Sequence, residues 1–258
     1  MGRFYAIPQD TFEGLQTEAG MIVRNFNPAK PIAPADSDIV CATTGGIKAT
    51  CTPEFIDLGE DVDNCPENMK ELKVLKGWTA TLEFTSLGTK PSGIKLALGC
   101  ADISDEDNTQ IIPRKDVSQD DFSDIWWVGD KADGGFLAVQ LKNALSTGGF
   151  SLQTSKGGKG NTSVTLTGHV SINAQSEMPM NFYSSSVLGE SKTFHGDGTE
   201  TAFVLDHEPI ANGYDVYVDG AKKTATTDYT VSGSTVTFTT APTSGSVIRV
   251  DYAYEAEG

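Results

Sequence analysis

The chain has little of what most site chemistry requires. Its 258 residues include only three histidines and four cysteines. Cys41, Cys51, Cys65 and Cys100 are unevenly spaced and contain no Cys-x-x-Cys pair, which excludes a zinc knuckle and a dense disulfide framework and leaves idle or buried thiols. His169 lies in an alternating run, and His195 and His207 lie close to Asp197 and Asp206. No Gly-x-Ser-x-Gly elbow exists to expose a nucleophilic serine, so no enzyme, cofactor or metal site is expected. Basic residues are scarce as well, 19 against 35 acids for a net charge of −16. Clustered Lys and Arg are what neutralise phosphates, so a nucleic-acid binder in the ordinary sense is excluded. No window reaches the roughly 20 apolar residues that a membrane span needs. The N-terminal Met-Gly-Arg-Phe-Tyr-Ala-Ile-Pro lacks the apolar core of a signal peptide, and synthesis in the cytoplasm without classical export is expected.

Two motif-like stretches have bland readings. Lys156-Gly-Gly-Lys-Gly-Asn-Thr162 lacks phosphate-loop spacing and lies between strands, which predicts a hairpin tip. Asp105-Glu-Asp107 begins like a calcium loop with Asp116 at its twelfth position. Gln110 stands where glycine is needed, so a solvated acidic loop is the better reading.

What the chain does have is alternation. From Asp124 to Ile172, Gly and Asp clusters punctuate apolar runs about one strand long, including Val164, Leu166 and Val170, and the rest is organised around these antiparallel strands. Trp126 and Trp127, adjacent on a strand, should point to opposite faces, one into the core and one either covered within the domain or sealed by a neighbouring subunit. Before this stretch, residues 1–19 read as an arm with Phe4, Tyr5, Ile7 and Phe12, and Met21–Phe26 as a short strand. Asn27–Pro34 reads as a stiff proline-rich connector. A strand from Gly45 to Leu58 should bend or reach an edge at Pro53. Residues 59–69 should form an exposed acidic loop, too long for a simple hairpin turn. Lys70–Phe84 alternates on even positions (Leu72, Val74, Trp78, Ala80, Leu82, Phe84), with a short helix over 67–76 as the competing reading. The one clear helix spans 89–101, capped by Thr89 or Ser92, and 102–121 reads as loop.

Beyond Ile172 the sequence turns Ser-rich, with poor strand character. A boundary is placed there: a first domain at 1–183, a linker at 184–189 and a small all-β module at 190–258. The module's strands are expected at 201–205, 214–218, 229–231, 234–239 and 247–252, turning at Asp219-Gly220 and Ser232-Gly233.

Five segments in order, Ala19–Phe26, Ala42–Gly46, Asp57–Leu72, Asp124–Asp130 and Leu141–Phe150, resemble the major tail protein, or tail tube protein, of long-tailed non-contractile phages, particularly those of Gram-positive hosts. Separately, Phe194–Thr199, Val216–Gly220, Thr227–Val231 and Phe238–Pro242 are similar to a small β-sandwich module appended to many phage tail proteins. The resemblance implies a mainly β fold of two packed antiparallel sheets with one short helix, plus an Ig-like sandwich. It implies a virion structural protein, assembled in the host bacterial cytoplasm, whose copies form stacked hexameric rings around the tape measure protein. Tail terminator and tail tip proteins are its other implied partners, and double-stranded DNA passes through the lumen without specific binding. An acidic wall would let DNA slide where a basic one would hold it. The module, with eleven acids against four bases, is expected outside the tube. The residues expected at contacts between subunits or rings are Glu60, Asp61, Asp63, Asn64, Met69, Trp126 and Trp127. A rival reading is a carbohydrate-binding or host-surface protein acting through the C-terminal module, and an envelope hydrolase is the weakest.

Overall fold

The computed structural model describes residues 8–12 and 14–255. Phe4, Tyr5 and Ile7 of the expected arm lie outside the described residues. The chain is mainly β, with a single α-helix among the described residues.

Its first ten strands are β1 (Met21–Val23), β2 (Ile39–Asp57), β3 (Lys73–Leu87), β4 (Ala101–Ile103), β5 (Ile111–Pro113), β6 (Ser123–Asp130), β7 (Phe136–Ser146), β8 (Leu152–Gln153), β9 (Asn161–Thr167) and β10 (Met180–Ser185). They pair antiparallel in the order β10-β7-β6-β1-β2-β3-β9-β8, with β4 and β5 a separate hairpin, and the far end of β7 also pairs with β9. That extra pairing, Leu145 with Thr167 and Ser146 with Leu166, closes the ladder on itself. Two packed sheets result, and β2 and β7 each serve both. A strand can turn this corner only with a local irregularity. In β2 it is Gly45-Gly46, both at positive φ, where the register with β3 shifts between Thr44 and Ile47.

Alternation sends Ala80, Leu82 and Phe84 of β3, Val164 and Leu166 of β9, and Ile125, Trp127, Val139 and Leu141 from β6 and β7 into one shared core. The helix α1 (Pro91–Leu98) covers one end, with Ala97 buried and the Ser146 hydroxyl donating to its carbonyl at 2.6 Å. Its N-cap is Lys90, which makes no side-chain cap, so neither Thr89 nor Ser92 caps it; Pro91 fills the first turn, as the sequence suggested.

The opposite face of β6 and β7 carries a second aromatic cluster. Phe26, just ahead of the proline-rich connector, meets Trp126 at 5.7 Å and Phe136 at 5.3 Å between ring centres, and Tyr183 of β10 meets Trp126 at 5.4 Å. The Ser-rich stretch past Ile172 is therefore not uniformly poor in strand, because Met180–Ser185 pairs with β7 over its whole length. The 102–121 stretch likewise holds the β4–β5 hairpin, tied by Arg114 to Asp102 at 2.8 Å and to Asp121.

A single residue, Ser186, separates β10 from β11 (Val187–His195), so 184–189 is strand on both sides and no free linker. The module continues with β12 (Ala202–Val204), β13 (Tyr214–Val218), β14 (Ala221–Lys222), β15 (Tyr229–Ser232), β16 (Thr235–Phe238) and β17 (Val247–Glu255). Sheets β11-β17-β13-β14 and β12-β16-β15 enclose their own core, with Val216, Val236, Ile248, Val250 and Tyr252 fully buried. The module is docked: Lys30 of the connector donates to the Tyr214 carbonyl at 3.1 Å and pairs with Asp215 at 2.8 Å. Gly189 lies so close to the Pro31 carbonyl that a Cβ there would overlap it.

Candidate assembly surface

The β2–β3 hairpin is much longer than the body it grows from. The core face ends near Ala80 and its partner Cys51, yet the two strands run on to Asp57 and Lys73. Pro53 does not stop β2; it pairs with Trp78 and the strand continues four residues further. A missing N–H is tolerable there because β2 has β3 on one side only from Thr43 onward, β1 pairing just with Ile39 and Cys41. β3 is one-sided too between Lys73 and Thr79, since β9 first pairs at Thr81. The arm thus presents two open edges, the arrangement proteins usually cover or pair with another chain.

Its side chains are as unprotected as its backbone. Lys76 is unpaired in a bulge opposite Glu54 and Phe55, and this extra residue switches parity along β3. Val74 moves to the outward face with Ile56, while Leu75 and Phe55 take the core-side face together with Trp78. The even-position pattern expected through Val74 therefore fails at Lys76. Phe55 is 58% exposed, Leu75 46% and Trp78 37%, a stripe continuing the core face into solvent. On the outward face the Thr79 hydroxyl donates to Glu54 at 2.7 Å and Lys76 lies 3.4 Å away, so Thr79 first and then Lys76 hold that carboxyl below its ordinary value.

The tip is the acidic loop. Asp57 organises its base, accepting from the Gly59 amide at 3.0 Å and the Asn68 amide at 3.3 Å, while the Leu58 amide donates to the Leu72 carbonyl. Asp61, Asn64 and Asn68 adopt left-handed φ of 62°, 62° and 59°, conformations that Asn and Asp accept more readily than most residues. Glu60, Asp61, Asp63 and Asn64 are exposed, and Met69 is partly so. A 3-10 turn over Lys70–Leu72 replaces the competing helix at 67–76.

The structure brings Glu60, Asp61, Asp63, Asn64 and Met69 together at the arm's tip and places Trp126 and Trp127 elsewhere. The two tryptophans do point to opposite faces, but both are buried in this chain. Trp127 enters the main core with its indole N–H donating to the Ala19 carbonyl at 3.0 Å, and Trp126 lies under Phe26 and Tyr183. Neither is left for a neighbour to seal. Phe55, Leu75 and Trp78 are exposed apolar residues of the arm that the sequence reading did not single out as candidate contacts; the available signal was an apolar strand running past a proline into a loop with nothing to bury.

No group of three or more His, Cys, Asp or Glu is placed to hold a metal among the described residues. Cys41, Cys51, Cys65 and Cys100 are free, half-buried thiols, and burial pushes the Cys41 thiol up despite a hydrogen bond from Ser86. His169 contacts the Asn143 carbonyl at 3.1 Å and the edge of Phe122, and His207 stacks on Tyr254 at 4.0 Å. Lys156–Gly160 is the tip between β8 and β9, as its spacing predicted. No helix among the described residues is long and apolar enough to cross a membrane. Comparison with known protein families and with curated proteins finds no match to this chain.

Proposed function

We propose that the chain is a self-assembling structural subunit of a phage tail tube, its copies joined into stacked hexameric rings around a conduit for DNA. The observation that carries this is the β2–β3 arm, with two edges unpaired and an apolar stripe left exposed among the described residues. Such an arm laid on a different surface of the next copy makes a heterologous contact, which closes into a ring when the rotation permits and removes the exposed edges. The acidic tip then reaches a neighbouring subunit or the next ring. The order and extent of the five tail-tube-like segments support the same reading, and one of them, Asp57–Leu72, falls on the tip of this arm.

Negative-stain microscopy of the concentrated protein, alone and mixed with tail initiator components, tests the proposal. Rings and tubes with a central channel are expected. Protein that stays monomeric even with the initiator overturns it.

A further inference from the structure

The face of β2, β3 and β9 turned away from the core has an unusual composition for a protein this acidic. Across the three strands the register aligns Thr50 with Thr81 and Thr167. The next row is Lys48, Glu83 and Thr165, and the one after it Thr44, Thr85 and Ser163. Seven of these nine positions are hydroxyls, and the only two charges, Lys48 and Glu83, neutralise each other at 3.1 Å. Thr52 and Thr79 extend the pattern towards the arm, and Thr147 meets Thr167 hydroxyl to hydroxyl at 2.8 Å. No large apolar side chain interrupts these rows, in contrast to the arm beyond them.

We infer that this hydroxyl face lines the conduit and that its partner is the duplex DNA it lets pass. The inference rests on the tube reading above and goes beyond it by naming the surface. Two geometric facts select this face. When sheets join edge to edge around a ring, the narrower circumference lies inside, so the bulk of each subunit must lie on the outer side. Here the bulk, namely the second sheet, the proline-rich connector and the docked module, is stacked behind the opposite face of β2, β3 and β9. The chemistry agrees. Fixed cations facing a polyanion would bind it by releasing its counterions, and apolar side chains would be exposed to water in the channel. A neutral lawn of hydroxyls does neither, since each can exchange hydrogen bonds with water at little net cost. The acidity of the chain is thus not what makes the wall slippery.

Single cysteines at Ser163 and Thr52 test this in the full-length protein, with Thr230→Cys on the module as an outer control and unsubstituted tubes giving the background from the native thiols. Each is treated with a small maleimide and with one carried on a gold particle too wide for the channel, before and after assembly. In intact tubes, S163C and T52C should keep their reactivity to the small reagent and lose it to the large one, while T230C keeps both. Loss to both reagents means a buried subunit contact, and reactivity to both means an outer surface; either overturns the inference while leaving the tube reading intact. Absence of tubes in unsubstituted protein overturns both. If either substitution impairs assembly, Thr44→Cys on the same face replaces it.

Discussion

Phe55→Ser separates assembly from folding. Phe55 is 58% exposed in the single chain, and the remainder of the ring rests on the cross-strand pair with Leu75. An aromatic side chain offers about 150–250 Å² for burial, so roughly 90–140 Å² of Phe55 is still available to a neighbour. At about 25 cal/mol per Å², covering it contributes about 2–3.5 kcal/mol per contact, of which ordering costs leave about 2 kcal/mol. That corresponds to a rise of roughly 30-fold in the concentration at which tubes form. The folded monomer loses only the cross-strand pair, less than about 1 kcal/mol. Sedimentation across a concentration series reads the first quantity and chemical denaturation the second. Tubes forming at the parental concentration would refute the role of the arm, and a monomer destabilised by 3 kcal/mol or more would show that Phe55 belongs to a core.

Three further variants probe other parts of the molecule. Glu60→Lys with Asp63→Lys, and Asp61→Asn to retain a residue suited to its left-handed backbone, should leave monomer unfolding within about 0.5 kcal/mol while shortening tubes seen by microscopy; normal tubes would remove the tip from the contact. Gly189→Ala forces a methyl against the Pro31 carbonyl and should cost about 1–3 kcal/mol and speed proteolysis between Ser185 and Val187; unchanged unfolding and cleavage would mean the module is not held by the connector. Burial opposes ionisation of Asp215, but hydrogen bonds from Lys30 and Lys222 outweigh it and keep its carboxyl below the ordinary 3.8. This stabilisation is complete above pH 3.8 and is lost as the pH falls through the lower folded value, so the parent should lose more stability in that window than Asp215→Asn. Parallel pH–stability curves would contradict this.

The alternating runs were legible because both of their faces obey the simple rule of one side in, one side out. The module shows it best: Tyr214–Val218 coincides with its expected span, and the Asp219-Gly220 turn carries the positive φ its residues favour. What escaped depended on partners distant in sequence. Met180–Ser185 reads as polar joint because its strand character comes from pairing with β7, and the hairpin of Ala101–Ile103 with Ile111–Pro113 is too short to show a period. The single unpaired residue Lys76 reverses every face beyond it, which no two-residue period can register. The opposite facing of Trp126 and Trp127 was legible, but what covers the outward one was not, because the cover of Trp126, Phe26, lies a hundred residues away in sequence.

The arm also has a mechanical consequence. Ala42–Thr44 and Ile47–Asp57 pair with β3 rung by rung, and the hydrogen bonds of an antiparallel ladder lie perpendicular to the strands. Tension drawn along the hairpin, with one strand pulled against the other, therefore loads these rungs in parallel instead of unzipping them in sequence. With all four cysteines free, no covalent crosslink shares that load, and the resistance of the arm to stretching resides in the ladder and in whatever pairs with its open edges.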